Sequence, residues 1–339
     1  MKISYLVAET PGIVQLKIRE YDPANLGPDQ VLVANKYSAI SAGTERAWIT
    51  GKSNNVTQRF PFHPGYSAAG VVEAVGSEVT EYKPGDRVLI NWHGHCSHAV
   101  CKCTKRFLCK IEDDSIDLKH AAFGLIASFP MLGVRRLKVE PGESVMIAGL
   151  GILGMIALQF ARLSGACPLI AADPDPARRK LALELGADAV LDPLEPDYIE
   201  QVKALTGGKG VNATVEVTGI ASALQQAVKY TAHLGRISLL GCTRVPDAPI
   251  DFYRDVHLTG ISLIGAHTNS RPLTDSQPGQ WTDHDDFVTF LKFVSTGRFN
   301  MEKLISNVIS PAEGPAMYDR IINEKNPPLG IVFDWSKLQ

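Results

Sequence analysis

Residues 144–165 read SVMIAGLGILGMIALQFARLSG, and this stretch decides the fold. A short apolar run is followed by three glycines in the spacing G-x-G-x-x-G (Gly149, Gly151, Gly154) and then by a helical pattern that stops at Gly165. The order strand, glycine turn, helix is what binding of a diphosphate requires. The first glycine makes a tight turn, the second lets the backbone approach the phosphates, and the third lets helix and strand pack closely. Ile152 and Leu153 open the helix, so their N–H groups stand at its positive end, where an anion is favoured. An acid is expected about 20 residues beyond such a motif to bind a ribose. Asp173 closes the next apolar run, PLIAAD (168–173), at that distance. A carboxylate there accepts from both ribose hydroxyls and repels a 2′-phosphate, so NAD is expected over NADP. Arg178 and Arg179 follow closely enough to offer a phosphate a partner, or else form a solvated helix face.

Downstream, LGADAVLD (185–192), VNATVEVTG (211–219), GRISLLG (235–241) and LTGISLIGA (258–266) read as further strands separated by helices or loops. With the two strands above they predict a doubly wound parallel sheet of about six strands, an α/β fold. Ligands of such sheets sit beyond the carboxyl ends of the strands. Gly241 at one of those ends, and His267 in GAHTNSRP (265–272), are therefore candidate cofactor contacts, with Asn269 and Arg271 as candidates for holding a hydroxylated or anionic substrate.

Upstream the texture differs. Short β-branched runs such as VLVANKYSAI (31–40), AAGVVEAVG (68–76) and DRVLI (86–90) alternate with turn-rich stretches such as EYKPGD (81–86). This predicts a compact, mostly antiparallel β domain. Near the end, a helix is expected around DDFVTFLKFVSTG (285–297), and LGIVFDW (329–335) is a last apolar run.

With 34 basic against 36 acidic residues and a net charge of −2, the chain has no basic stripe for nucleic acid. No apolar run approaches a membrane span, and MKISYLVAETPG lacks the features of a signal peptide. Six cysteines in 339 residues read as free thiols, so a cytoplasmic location is expected.

The order of these parts resembles the medium-chain dehydrogenase/reductase superfamily. The resemblance rests on GYSAAGVVEAVGSEV (65–79), YKPGDRV (82–88), VRRLKVEPGESVMIAGLGILG (134–154) and LGADAVLD, and it spans nearly the whole chain. It implies a GroES-like substrate domain over 1–124, a Rossmann NAD-binding domain over 125–267 and a return to the first domain over 268–339. It also implies an active site between the domains and transfer of a hydride between an alcohol and a nicotinamide, with Glu216, Thr218 and Gly219 in VEVTG (215–219) lining the nicotinamide half of the site. Homodimers or homotetramers are common in the family, and HLTGISLIGA (257–266) is a candidate joining strand.

Many members carry a catalytic zinc that polarises the reacting oxygen. Where the first ligand is usually a Cys ahead of Thr-Asp, AISAGTERAW (39–48) has Ser41 or Ala42 ahead of Thr44 and Glu45. Where a Gly-His-Glu triplet supplies the second, the chain has Gly65-Tyr66-Ser67, and Leu125 or a neighbour stands at the third. Zinc takes thiolate, imidazole or carboxylate ligands, so no catalytic zinc is expected. The run from His93 to Cys109 is rich in Cys and His, but its spacing C-x4-C-x-C-x5-C matches no zinc pattern, and its cysteines read as small apolar strand residues.

Without a metal, a side chain must handle the hydroxyl proton. Tyr66, at a ligand's place, either donates to the reacting oxygen or only shapes the pocket. Thr44 matches a family position whose hydroxyl relays the proton; otherwise it is a turn residue after Gly43. Glu45 is expected to pair structurally with Arg46, and Ser41, His63, Trp92 and His93 are candidates for the pocket wall. SAGTER (41–46) and PGYSAAG (64–70) are similar to a zinc-lacking branch that includes the dehydrogenase of a bacteriochlorophyllide hydroxyethyl group, from which only the reaction class carries over. The expected activity is zinc-independent, NAD-dependent oxidation of a secondary alcohol such as a sugar or polyol. The alternatives are an NADPH-dependent quinone or enoyl reductase and a non-catalytic dinucleotide-binding protein.

Overall fold

The structure, a computed structural model, describes residues 1–52, 59–242 and 249–338. It divides into two compact units, Ala127–Thr282 and the pair of segments Met1–Ile126 with Asp283–Gln339.

The unit Ala127–Thr282 contains β1 (Val145–Ala148), β2 (Leu169–Ala172), β3 (Ala189–Leu191), β4 (Val211–Glu216), β5 (Thr231–Leu239) and β6 (Ser262–Gly265). They form one sheet in the order β3-β2-β1-β4-β5-β6, with every neighbouring pair parallel. This is the doubly wound order that reverses beside β1. Parallel strands covered on both faces need continuous apolar sequence, and β1 and β2 are buried at every position. Met146, Ile170, Val202, Val211 and Ile237 are fully buried in one cluster, closed by Tyr198 and Tyr230 packed edge to face at 5.7 Å. The helix Ile152–Leu163 begins directly after the glycine turn, and residues 154–161 are buried throughout, so it lies deep against the sheet.

The expected boundaries are 124/125 and 267/268, and the units part at Ile126/Ala127 and Thr282/Asp283. Residues 268–282 hold to the sheet-bearing unit Ala127–Thr282 by specific contacts. Arg271 Nη2 donates to the Ser128 carbonyl at 2.9 Å, and the Arg135 guanidinium lies 4.3 Å from the Trp281 ring centroid.

The other unit is β-rich. Gln30–Ala39 pairs antiparallel with Ser67–Val75, with His98–Lys102 and with the late strand Ile331–Asp334. The tail thus returns to the first segment, and Phe333, Tyr318, Ile321 and Trp335 share a buried cluster with Leu6, Ile40 and Ile49. Lys2–Thr10 and Ile13–Glu20 form a separate two-stranded hairpin. The helix Asp283–Ser295 falls where its apolar period predicts it. Cys96, Cys101 and Cys109 lie in or beside the strand core, each buried. Among the described residues no helix is long and apolar enough to cross a membrane.

Candidate functional site

In the sheet unit, the sequence-predicted cofactor residues converge at the carboxyl ends of the strands. Gly149 follows β1 with φ +100°, in the left-handed region, and a Cβ there would stand 2.8 Å from the Thr218 methyl. A Cβ on Gly154 would meet the Gly149 carbonyl oxygen at 1.9 Å, so helix and turn touch backbone to backbone. Gly151, by contrast, has nothing within 4 Å of that position. Open space above Gly151, with Ile152 and Leu153 at the helix N-terminus, fits a dinucleotide diphosphate.

Asp173 follows β2 and is 7% exposed. Its Oδ2 accepts from the Leu150 N–H at 2.8 Å and its Oδ1 from the Asp175 N–H at 2.9 Å. The carboxylate therefore fixes the glycine turn. Arg178 Nη1 is 4.0 Å from Oδ2, whereas Arg179 is committed elsewhere, donating to the Asp173 carbonyl and, at 2.9 Å, to Asp192. After β4, the Glu216 carboxylate accepts from the Thr218 N–H at 2.8 Å, from the Thr218 hydroxyl and from the Gly219 N–H at 3.2 Å. Burial pushes the Glu216 carboxyl up, against the lowering effect of those bonds. A Cβ at Gly241 would lie 2.2 Å from the Gly219 nitrogen, which packs the ends of β4 and β5 together. His267 and Asn269 are exposed after β6, the Asn269 N–H donating to His267 Nδ1 at 3.2 Å.

The β-rich unit holds the second group. Residues 42–49 form a helix, so Thr44 lies in a helical turn and not in the loop that its position after Gly43 suggested. Ser41 is its N-cap but makes no capping bond with its hydroxyl. The Ser41 and Thr44 side chains instead stand near enough to Tyr66 to favour the ionised form of its phenol. Tyr66 is 3% exposed and sits between two indoles, stacked on Trp92 at 5.3 Å and edge-on to Trp48 at 5.7 Å. Burial raises its phenol above the ordinary value, Ser41 and Thr44 oppose that, and the Glu45 charge adds to it. The phenol is thus a neutral hydrogen-bond donor. Gly65, with φ +94°, allows this placement, since a Cβ there would strike the His95 ring at 2.5 Å.

Glu45 corrects one expectation. It is fully buried, while Arg46 is exposed, because successive helical side chains point about 100° apart. Its partners come from distant segments. Oε1 accepts from the Ser41 N–H at 2.8 Å, and Oε2 accepts from the Tyr318 hydroxyl and from His95 Nε2 at 3.2 Å. Ser38 Oγ then lies 2.8 Å from His95 Nδ1 and accepts from Trp335 Nε1 at 3.0 Å.

Beside this network lies a cavity of about 570 Å³ whose lining includes Tyr66, Trp92, His93, His63 and His95 with Tyr5, Arg19, Trp48 and Phe62. It brings together four residues singled out from sequence, Tyr66, His63, Trp92 and His93. Ser41 and Glu45 lie behind its wall; Asn269 and Arg271 belong to the sheet unit. Trp48, Phe62, Tyr5, Arg19 and Tyr318 were missed, and His95 was noticed only within the Cys/His-rich run. Of that run, burial pushes the Cys96, Cys101 and Cys109 thiols up to about 12 and is the main cause of a rise to about 11 at Cys103. A cysteine binds a metal as its thiolate, and among the described residues no three His, Cys, Asp or Glu side chains are grouped to hold an ion.

Comparison with known proteins gives two family matches. Residues 27–148 match the alcohol dehydrogenase GroES-like domain, and 153–287 match the zinc-binding dehydrogenase model. An L-threonine 3-dehydrogenase of Pyrococcus furiosus is 30% identical over 85% of this chain and 86% of its own. A D-guloside 3-dehydrogenase of Escherichia coli is 28% identical over 97% of this chain and 99% of its own. A Sinorhizobium meliloti 1021 protein of the zinc-binding dehydrogenase type, solved bound to NADP, superposes with a TM-score of 0.83 at 21% identity, over 98% of this chain and 99% of that one.

Proposed function

The chain belongs to the medium-chain dehydrogenase/reductase superfamily of zinc-type alcohol dehydrogenase-like oxidoreductases, and from that premise we propose that it oxidises a secondary hydroxyl of a sugar or polyol with NAD and without zinc. The observation that carries the reading is Tyr66, a buried neutral phenol at a zinc ligand's place, in the wall of a cavity and in reach of the Ser41 and Thr44 hydroxyls. The positions that the resemblance assigns to ligands hold Ser41 or Ala42, Tyr66, and Leu125 or a neighbour, and this donor set does not fit a zinc ion. No step below runs through one.

The glycine turn, Asp173, Thr218 and Gly241 fit a nicotinamide dinucleotide, which when bound supplies the hydride acceptor. Asp173 would take the ribose hydroxyls and disfavour a 2′-phosphate. Arg178, at 4.0 Å, is the residue through which NADP would compete. In the β-rich unit Tyr66 donates to the substrate oxygen and orients it. As the alcohol becomes a carbonyl, its hydride goes to the nicotinamide and its proton is passed by the Tyr66, Ser41 and Thr44 hydroxyls to bulk water, the final acceptor. Each hydroxyl accepts one proton and passes one on, so no phenolate accumulates. The full-length similarity to a D-guloside 3-dehydrogenase supports a sugar hydroxyl as substrate. β6, at the edge of its sheet, is the surface through which we expect a homodimer or homotetramer to form.

The test is NADH formation on a panel of sugars, polyols and simple secondary alcohols, combined with elemental analysis of the purified protein. Turnover with NAD that a chelator leaves unchanged, on protein lacking stoichiometric zinc, is the expected result. Zinc near one per chain together with chelator-sensitive turnover would overturn it.

A further inference from the structure

We propose that the cavity beside Tyr66 recognises a closed pyranose ring, with Trp92 and Trp48 as the residues that select it over an open-chain polyol; this deepens the dehydrogenase reading and rests on it. At about 570 Å³ the cavity falls within the roughly 300–1,000 Å³ of small-molecule sites. Its apolar surface is almost entirely aromatic. A pyranose has one face of C–H groups that stacks on such rings and a rim of hydroxyls, whereas an extended polyol presents hydroxyls in every direction. The ring is also rigid, so less conformational freedom is lost when it binds.

The polar groups of the wall match that rim. His93 Nδ1 lies 2.6 Å from the Asn91 carbonyl and so donates to it, which leaves Nε2 as an acceptor for a sugar hydroxyl. Arg19 stands over the Tyr5 ring at 5.6 Å and adds donors at another part of the lining. A wholly apolar alcohol would use the aromatic faces and give Nε2 of the half-buried His93 no hydroxyl to accept from.

Trp92 carries the strongest sign of purpose. It is a bulky residue with φ +68°, a conformation that side chains other than glycine rarely adopt. Its N–H donates to the Tyr66 carbonyl at 2.9 Å, and its ring stacks on the Tyr66 ring with an interplanar angle of 27°. A strained backbone that fixes one indole beside the proposed proton donor suits a residue holding a ligand in register.

The experiment compares methyl hexopyranosides with the corresponding alditols and with benzyl alcohol in NAD reduction. The best pyranoside is expected to exceed the best alditol in kcat/KM by about tenfold or more. Trp92→Ala should raise KM for that pyranoside by about tenfold more than it raises KM for alditols and be rescued by Trp92→Phe. Trp48→Ala serves as a second variant should Trp92→Ala fold poorly. An alditol or benzyl alcohol turned over as well as any pyranoside overturns the proposal. If no alcohol is turned over at all, the dehydrogenase reading itself fails. Ring binding is then decided by saturation-transfer NMR on the wild-type protein: transfer from aromatic protons to pyranoside C–H protons sustains it, and no transfer to any pyranoside overturns it.

Discussion

The two regions described above are built on opposite plans. The glycine turn after β1 is made by neighbours in sequence, since Gly149, Gly151 and Gly154 act through backbone geometry and Asp173 binds Leu150 across 23 positions. The pocket around Tyr66 is made by strangers, as the Tyr318 hydroxyl reaches Glu45 across 273 positions and Trp335 reaches Ser38 across 297. A site of the first kind depends on the absence of atoms, one of the second on side chains arriving from several segments. Each should fail differently when disturbed.

The largest effect on cofactor binding is expected at Gly154. Its Cβ position lies 1.9 Å from the backbone oxygen of Gly149, and no flexible side chain stands there to yield. Gly154→Ala must displace either the helix or the turn. Overpacking of this kind costs about 1–3 kcal/mol and sometimes more, and the displaced turn also loses its fit to the diphosphate. Isothermal titration should show NAD affinity reduced by at least about 100-fold, equivalent to about 2.7 kcal/mol. Gly151→Ala, whose Cβ enters open space, should leave the thermal midpoint within about 2 °C of wild type while still weakening the cofactor. Equal losses of folding stability in both variants would break the comparison.

The same contrast decides what was legible in advance. The sheet unit could be read because its strands are continuous apolar runs and its turn has a spacing that few other structures need. The tail's helix, Asp283–Ser295, was legible for the same local reason. Tyr66 and Thr44 could be singled out only through the resemblance, and what surrounds them could not. Nothing local tells that Glu45 turns toward His95 and Tyr318 instead of Arg46, because the choice is made by packing between segments. Trp48 and Phe62 carry no motif, and Tyr5 lies in a hairpin outside the main sheet of its unit. Residues 268–282 offer little periodicity, and their allegiance rests on two arginine contacts, Arg271 to Ser128 and Arg135 to Trp281.

The next effect in size concerns Tyr66. Tyr66→Phe removes the hydroxyl and keeps the ring between Trp92 and Trp48. Loss of one donor to a reacting oxygen costs about 10²–10³ in kcat, and KM should change little, because the stacking survives. The stability of the variant should also sharpen its role. The wild-type phenol is raised above 10.0 mainly by burial, so its contribution is fully present below pH 10 and is lost as pH rises through the folded value. Tyr66→Phe should lose less stability above pH 10 than the wild type does, as seen in urea denaturation across pH. An unchanged kcat would remove Tyr66 from the chemistry and leave it as a packing residue.

The smallest effect, that of Glu45→Gln, discriminates most finely, because Glu45 is changed there while its shape is kept. The wild-type carboxylate receives three donors: the Ser41 N–H, the Tyr318 hydroxyl and His95 Nε2. Glu45→Ala leaves all three without their acceptor in a fully buried place, at about 1–3 kcal/mol for each group that finds no other partner. Glu45→Gln retains one oxygen, and the groups around it can adapt. The Tyr318 hydroxyl can turn to accept from the new amide, and the His95 imidazole can change tautomer against Ser38. Its cost should therefore be only about 1 kcal/mol, the difference between a charge-assisted hydrogen bond and a neutral one. Urea denaturation should thus rank wild type above Glu45→Gln and both well above Glu45→Ala. If Gln proves as damaging as Ala, the negative charge itself holds these segments together, and the network is an electrostatic device more than a hydrogen-bonded one.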